Sequence, residues 1–246
     1  MPEGAIIFVA AVFALAGIVK GVIGLGLPTI SMGLLAIVMP PVEAAALLIL
    51  PSFVTNIWQM WTGRSIIELL RRLWPMMVAV CLGTWAASGL MSGSGKGGAT
   101  LLLGIALALY ALSGLATFKF AIPAAYERPL GAAAGALTGV ITAATGVFVI
   151  PAVPFLQGIG LEKNDLVQAL GLAFTVSTVA LAVNVGAEVG VHRLWSLAAI
   201  LALAAAGAGM AAGQLLRHRL SPEAFRRWFF SGLLVLGAYL AMRSVG

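Results

Sequence analysis

Long apolar runs, joined by short polar segments, occupy almost the whole chain of 246 residues. Hydrophobic residues make up 61% of it and charged residues 9%, whereas a soluble globular domain has about 25% charged residues. Because so few polar side chains could not cover a water-exposed surface, we predict an all-α polytopic membrane protein. The lone Cys81 lies inside an apolar run, which excludes a disulfide within the chain and a cysteine metal cluster.

The apolar runs predict ten helical segments. Two pairs of short runs are near or below the roughly 20 residues that cross a bilayer, and we interpret each pair as a broken helical hairpin because glycines separate its members. The other six runs are long enough to span the membrane. The broken pairs are 4–20 with 28–39 and 130–146 with 151–160, and the spans are 43–62, 73–90, 99–117, 165–186, 194–213 and 222–242.

The two halves of the chain share motifs in the same order, which indicates an internal repeat. Gly17-x-x-x-Gly21-Val22-Ile23 resembles Gly135-x-x-x-Gly139-Val140-Ile141, Pro28 matches Pro151, Thr55 matches Thr178, and Arg72-Leu73-Trp74 resembles Arg193-Leu194-Trp195. We predict a first transmembrane repeat at 1–117, a central cytoplasmic loop at 118–129 and a second repeat at 130–246. Each repeat has a broken hairpin plus three spanning helices.

The basic residues predict the orientation of the segments. If each broken pair is a hairpin that returns to its own side, one side holds Arg64, Arg71, Arg72, Lys119, Arg128, Lys163, Arg217, Arg219, Arg226 and Arg227, and the other holds Lys96, Arg193 and Arg243. If each pair crosses once, the basic residues divide almost evenly. The positive-inside rule favours the first arrangement. Because each repeat then has an odd number of segments, five, the second repeat is inverted relative to the first. Both termini lie outside the cytoplasm in this arrangement. Since orientation explains the net charge of +6, no nucleic-acid partner is expected.

The two glycine-rich breaks predict an anion site. The first turn of a helix carries unpaired N–H groups and a partial positive charge, and irregular backbone persists in a membrane only where it is buried in protein or lines a wet cavity. Two helix starts that enter from opposite faces would suit an anion. The candidate residues are Gly21, Gly24, Gly26, Pro28, Thr29, Gly139, Thr142, Thr145, Gly146 and Pro151. The alternative is that these glycines only allow helices to pack closely.

Polar residues inside the apolar runs extend the candidate site. Lys20 lies well inside such a run, where a charge is costly and indicates function. It is a candidate counter-charge for the anion, or alternatively its side chain extends to the cytoplasmic surface. Ser52, Thr55, Asn56 and Gln59 share one helix face. We assign Asn56 and Gln59 to the anion site and the hydroxyl residues to helix–helix hydrogen bonds.

The sequence lacks the motifs of ATP-driven pumps and of common hydrolases. Gly97 follows Lys96 where a phosphate-binding loop needs Ser or Thr, so we interpret 91–98 as a flexible turn. There is no His-Glu-x-x-His or Gly-x-Ser-x-Gly pattern, and His192 and His218 are isolated at span ends. We expect no metal site, no cofactor and no enzymatic activity.

Three motifs resemble the TauE/SafE family of sulfite and organosulfonate transporters. They are Gly17-x-x-Lys20-Gly21-x-x-Gly24-x-Gly26-x-Pro28, Pro41-x-Glu43-Ala44-Ala45-Ala46 with Thr55-Asn56-x-Trp58-Gln59, and Gly135-x-x-x-Gly139 with Gly146-Val147-Phe148-Val149-Ile150-Pro151. The resemblance implies a secondary transporter of the cell inner membrane that exports a small sulfur-containing anion. Its expected partners are the anion, membrane lipid and a second copy of the chain in a homodimer. An anion channel, a carrier of another small anion, and a scaffold or assembly factor without substrate remain alternatives.

Overall fold

The computed structural model describes residues 3–61, 63, 65–93, 97–116, 121–217 and 219–245. Over these ranges the chain is helical and has no strand, which confirms the predicted all-α fold. The helices are α1 Glu3–Ile23, α2 Leu27–Leu35, α3 Pro41–Trp61, α4 Ile66–Ala86, α5 Leu90–Gly93, α6 Gly98–Ala116, α7 Ala124–Thr145, α8 Ala152–Gly158, α9 Lys163–Val189, α10 Val191–Leu194, α11 Leu197–Leu216 and α12 Pro222–Val245.

All ten predicted segments are helices, but two of them begin at least six residues earlier than predicted. Helix α4 begins at Ile66 and helix α7 at Ala124, so residues 124–129 of the predicted central loop are helical. Charged residues suggested loops here. However, Glu68 and Glu127 lie in the first turns, where an acidic side chain stabilises the helix. The division into two repeats at the predicted boundaries stays a prediction.

Some predictions concern residues outside the described ranges. Residues 94–96 of the predicted flexible turn, residue 117 at the end of a predicted span and residues 118–120 of the predicted central loop belong to this group. Arg64 and His218 belong to it as well.

Six helices in the described ranges are long and apolar enough to cross a membrane, as a multi-pass membrane protein requires. Helices α7 and α12, with 22 and 24 residues, have similar lengths. The six spans are Gly4–Ile23, Pro41–Trp61, Ile66–Gly93, Gly98–Ala116, Lys163–Val189 and Val191–Leu216.

Glycines join the two halves through equivalent contacts. Helix α1 packs on α11, and a Cβ on Gly17 would lie 2.2 Å from the carbonyl oxygen of Ala206. Helix α4 packs on α7, and a Cβ on Gly135 would lie 2.3 Å from the carbonyl oxygen of Met76. Since Gly17 and Gly135 correspond in the predicted repeat, the halves contribute matching helices to each other.

The same contacts correct one predicted match. Gly83 would place a Cβ 2.2 Å from the Ala136 oxygen, and Gly213 would place one 2.2 Å from the Ile18 oxygen. Gly83 in α4 and Gly213 in α11 thus occupy equivalent positions, so α4 and α11 are corresponding helices of the two halves. Arg72 lies within α4, whereas Arg193 lies in α10, before α11 begins. The two Arg-Leu-Trp motifs are therefore not equivalent. Their similarity is a chance match, which arises easily over three residues in so restricted a composition.

Helices α6 and α12 occupy corresponding places in the two halves and pack antiparallel. A Cβ on Gly104 would lie 2.7 Å from the backbone nitrogen of Ala241, and a Cβ on Gly237 would lie 2.8 Å from that of Ala108. If the two-fold axis that relates the halves ran parallel to the helices, corresponding helices would be parallel. Antiparallel packing of corresponding helices instead requires a two-fold axis perpendicular to them.

We expect Gly209→Ala to destabilise the protein, because close packing of α11 on α1 leaves no room for a methyl group. A Cβ on Gly209 would lie 2.1 Å from the carbonyl oxygen of Ala14, and overpacking of this kind costs about 1–3 kcal/mol. Gly207→Ala on the same helix is the matched control, since no atom lies within 4 Å of its Cβ position. Thermal unfolding in detergent measures both; equal melting temperatures would contradict the close contact.

Candidate functional site

Both predicted helix breaks are present. Helix α1 ends at Ile23 and α2 begins at Leu27, with Gly26 between them at φ 107°. Helix α7 ends at Thr145 and Gly146 follows at φ 72°. These left-handed conformations are readily adopted by glycine and strained for other residues. The glycines therefore set the path of the chain at both breaks.

The second break is buried, as irregular backbone inside a membrane must be. Val147, Phe148 and Val149 have no exposed surface. The hydroxyl of Thr145 accepts a hydrogen bond from the Val147 amide at 3.2 Å and thereby pairs one backbone donor of the break.

The breaks lie near each other but side by side. A Cβ on Gly146 would lie 2.8 Å from the Cε atom of Met32, which is in the middle of α2. The second break therefore packs beside α2. The convergence of the starts of α2 and α8 on one anion stays a prediction.

Lys20 ends in the protein interior. Its side chain is 3% exposed, and its ammonium donates hydrogen bonds to Thr55 Oγ1 at 3.1 Å and to Asn56 Oδ1. The alternative in which Lys20 extends to the surface is therefore wrong. An ammonium has three N–H donors, so one remains for a ligand.

This cluster lies where the two halves meet. The amide of Asn56 in α3 donates to Thr178 Oγ1 in α9 at 3.3 Å. Further along, a Cβ on Gly171 would lie 2.5 Å from the backbone nitrogen of Met60, so α3 and α9 run antiparallel. Thr55 and Thr178 match in the predicted repeat, so the cluster lies at the crossing of corresponding helices. Secondary transporters place substrate at such a repeat interface.

Lys20 has no acidic partner in the part of the chain that the structure describes. No Asp or Glu side chain there is buried, and the ion pair found there joins Arg72 to Glu127. An unpaired charge in a low-dielectric interior costs several kcal/mol. A bound anion would remove that cost.

Gly21 and Gly139 contact neighbouring helices. A Cβ on Gly21 would lie 2.3 Å from the Met210 oxygen in α11, and one on Gly139 would lie 2.3 Å from the Val80 oxygen in α4. The prediction placed both glycines against substrate, but the space beside them is filled by backbone. Their close approach serves helix packing, which the sequence had left as the alternative.

The remaining break residues are also engaged within the protein. A Cβ on Gly26 would lie 2.8 Å from a methyl carbon of Val19, Pro28 occupies the first turn of α2, and Pro151 is the N-cap of α8. The hydroxyls of three threonines donate to backbone oxygens, so their hydrogens are not available to an anion: Thr29 to Gly26, Thr142 to Thr138, and Thr145 to Ile141.

Gln59 joins the first break to α9. A Cβ on Gly24 would lie 3.7 Å from Gln59 Nε2, and the same nitrogen donates to the Val167 oxygen at 3.2 Å. Gln168, one residue further along α9, donates in turn to the Met60 oxygen at 2.8 Å. These amides link α3 to α9 about one turn along α3 from Asn56. Their part in anion binding stays a prediction.

Two threonines that were not in the predicted site belong to the cluster, and Ser52 lies about one turn before Asn56 on the same face of α3. Thr55 and Thr178 contact Lys20 and Asn56 directly. Ser52 is 1% exposed, and its hydroxyl has no partner in the described ranges. The signal that could have found Thr178 was its repeat match to Thr55, which lies beside Asn56 in sequence.

The two ends of the bundle differ. At the end where α9 begins, Arg72 binds both carboxylate oxygens of Glu127, at 2.6 and 2.8 Å, and the Ile159 carbonyl at 2.9 Å. At the end where α9 finishes, a cavity of about 320 Å³ opens between α1, α3, α9 and α11. Glu43 and Arg193 line this cavity.

A comparison with protein families identifies the chain. The family model described as sulfite exporter TauE/SafE matches residues 9–240. The chain belongs to this family. The TauE/SafE match includes both breaks and every member of the Lys20 cluster, and together with the six spans it makes the chain a multi-pass protein of a membrane-transporter family. Searches of curated proteins and of solved structures returned no match.

Proposed function

We propose that the chain is a secondary transporter of the cell inner membrane that exports a small sulfur-containing anion, such as sulfite or an organosulfonate. The observation that carries the proposal is the buried ammonium of Lys20, which has polar partners and no described acidic one. Family membership supports the substrate class and the direction. An anion held by Lys20, Asn56 and Ser52 would lie between the two halves.

We further propose that the halves are inverted repeats. The antiparallel packing of α6 on α12 supports this, as does that of α3 on α9. In an inverted repeat, two conformations of similar energy expose one central site to opposite faces of the membrane. The predicted placement of both termini outside the cytoplasm and a homodimer belong to the same proposal.

The difference between the two ends supports alternating access. Arg72 joins α4 to α7 and to the chain after α8, and we propose that these contacts hold that end closed. The cavity lies at the other end of α9, which has 27 residues and is about 40 Å long. We propose that transport requires the Arg72–Glu127 pair to open while the cavity collapses.

The proposal predicts saturable anion flux in proteoliposomes that contain the purified protein. Labelled sulfite or methanesulfonate is loaded inside, and its efflux is measured with and without unlabelled anion outside. A carrier that alternates between two faces shows saturation and is accelerated by external substrate. Flux without saturation would indicate a channel, and absence of flux for all sulfur anions would indicate a scaffold; either result would overturn the proposal.

A further inference from the structure

We propose that the Lys20 site selects monovalent anions and rejects divalent anions of the same shape. This inference rests on the proposed function, because it concerns the anion that the transporter binds. It defines the substrate by charge, which separates methanesulfonate and hydrogensulfite, the singly charged form of sulfite, from dianions such as sulfate.

The first argument is charge balance. Lys20 is the charged residue among the side chains that the structure describes as buried. Its partners Thr55 and Asn56 are neutral, and so is Thr178, which accepts a hydrogen bond from Asn56. A monovalent anion therefore makes the site neutral, whereas a dianion leaves one negative charge in a low-dielectric interior without compensation.

The second argument is the number of hydrogen-bond donors. The hydroxyl of Thr55 donates to the Pro51 oxygen at 2.7 Å, and that of Thr178 donates to the Phe174 oxygen at 2.6 Å. Both can therefore only accept within the cluster. The donors left for an anion are one N–H of Lys20, one N–H of Asn56 and the hydroxyl of Ser52. Three donors suit the three oxygens of a sulfonate and leave the fourth oxygen of sulfate unpaired.

The repeat indicates where a second positive charge could lie. Thr138 in α7 corresponds to Lys20 in α1, because Gly139 and Gly21 correspond. Its side chain is fully buried, and its hydroxyl has no hydrogen-bond partner in the described part of the chain. The second half thus carries a neutral residue where the first carries the cation, so Lys20 is the one positive charge among the buried side chains that the structure describes.

The test compares methanesulfonate with sulfate, which have similar size and differ by one charge. Isothermal titration calorimetry on the purified full chain, at constant ionic strength, measures the two dissociation constants. We expect methanesulfonate to bind about tenfold or more tightly than sulfate, because the extra charge is uncompensated. Equal affinities, or tighter binding of sulfate, would overturn the inference. Binding of neither anion would instead count against the proposed function.

Thr138→Lys provides a second test, with Thr138→Met as the neutral control of similar length. The added cation is expected to narrow or reverse the preference for methanesulfonate, and the control is expected to keep it. An unchanged preference in a folded Thr138→Lys protein would contradict the charge-balance argument. If the Thr138→Lys protein does not fold, the two dissociation constants of the native protein for methanesulfonate and sulfate test the inference alone.

Discussion

Lys20→Met is expected to abolish saturable anion transport while the protein stays folded. Methionine has a similar length and fills the same space, but it cannot neutralise an anion. Removal of one partner of a buried, hydrogen-bonded charge pair costs roughly 2–5 kcal/mol, which corresponds to about 30- to 4000-fold in affinity. Calorimetry with methanesulfonate and efflux from proteoliposomes measure the loss.

Lys163→Met is the matched control for this experiment. Lys163 is exposed in the first turn of α9, so its loss changes the net charge equally without touching the cluster. Lys20→Met is also expected to melt at the same temperature as the native protein or above it, because replacement of an unpaired buried charge by an apolar side chain is often stabilising. Unchanged anion affinity in Lys20→Met would show that the anion binds elsewhere.

The breaks and the buried lysine could be predicted from the sequence because their signals are local. Glycine and proline interrupt an apolar run wherever that run packs, and a charge within it is costly in any packing arrangement. The bounds of α4 and α7 were predicted less well, since charged first turns such as those with Glu68 and Glu127 look like loops.

The partners of each residue could not be predicted, because they depend on how distant helices rotate against one another. Gly21 and Lys20 are adjacent in sequence, yet Gly21 faces α11 and Lys20 faces α3. The sequence places both in the break but does not say which neighbour each one meets. The same holds for Arg72 and Glu127, whose pairing requires the packing of α4 on α7.

Asn56→Asp is expected to abolish anion binding by giving Lys20 a permanent counter-charge. Asparagine and aspartate have nearly the same shape, and the Asn56 oxygen already accepts a hydrogen bond from the ammonium. An aspartate there would form an internal ion pair with Lys20. An incoming anion would then meet a neutral pair instead of a free positive charge, and like charges brought together cost several kcal/mol. We expect affinity for methanesulfonate to fall about 100-fold or more.

The stability of this variant distinguishes charge compensation from simple damage to the site. Damage would lower the melting temperature. Compensation should raise the melting temperature of the anion-free protein and remove any further increase on addition of methanesulfonate, because the buried ammonium is paired before the anion arrives. Thr178 can support the new carboxylate by turning its hydroxyl from the Phe174 oxygen toward it. Asn164→Asp, at an exposed position of α9, adds the same charge away from the cluster and should leave affinity unchanged. An Asn56→Asp protein that still binds and exports the anion would show that Lys20 is not its counter-charge.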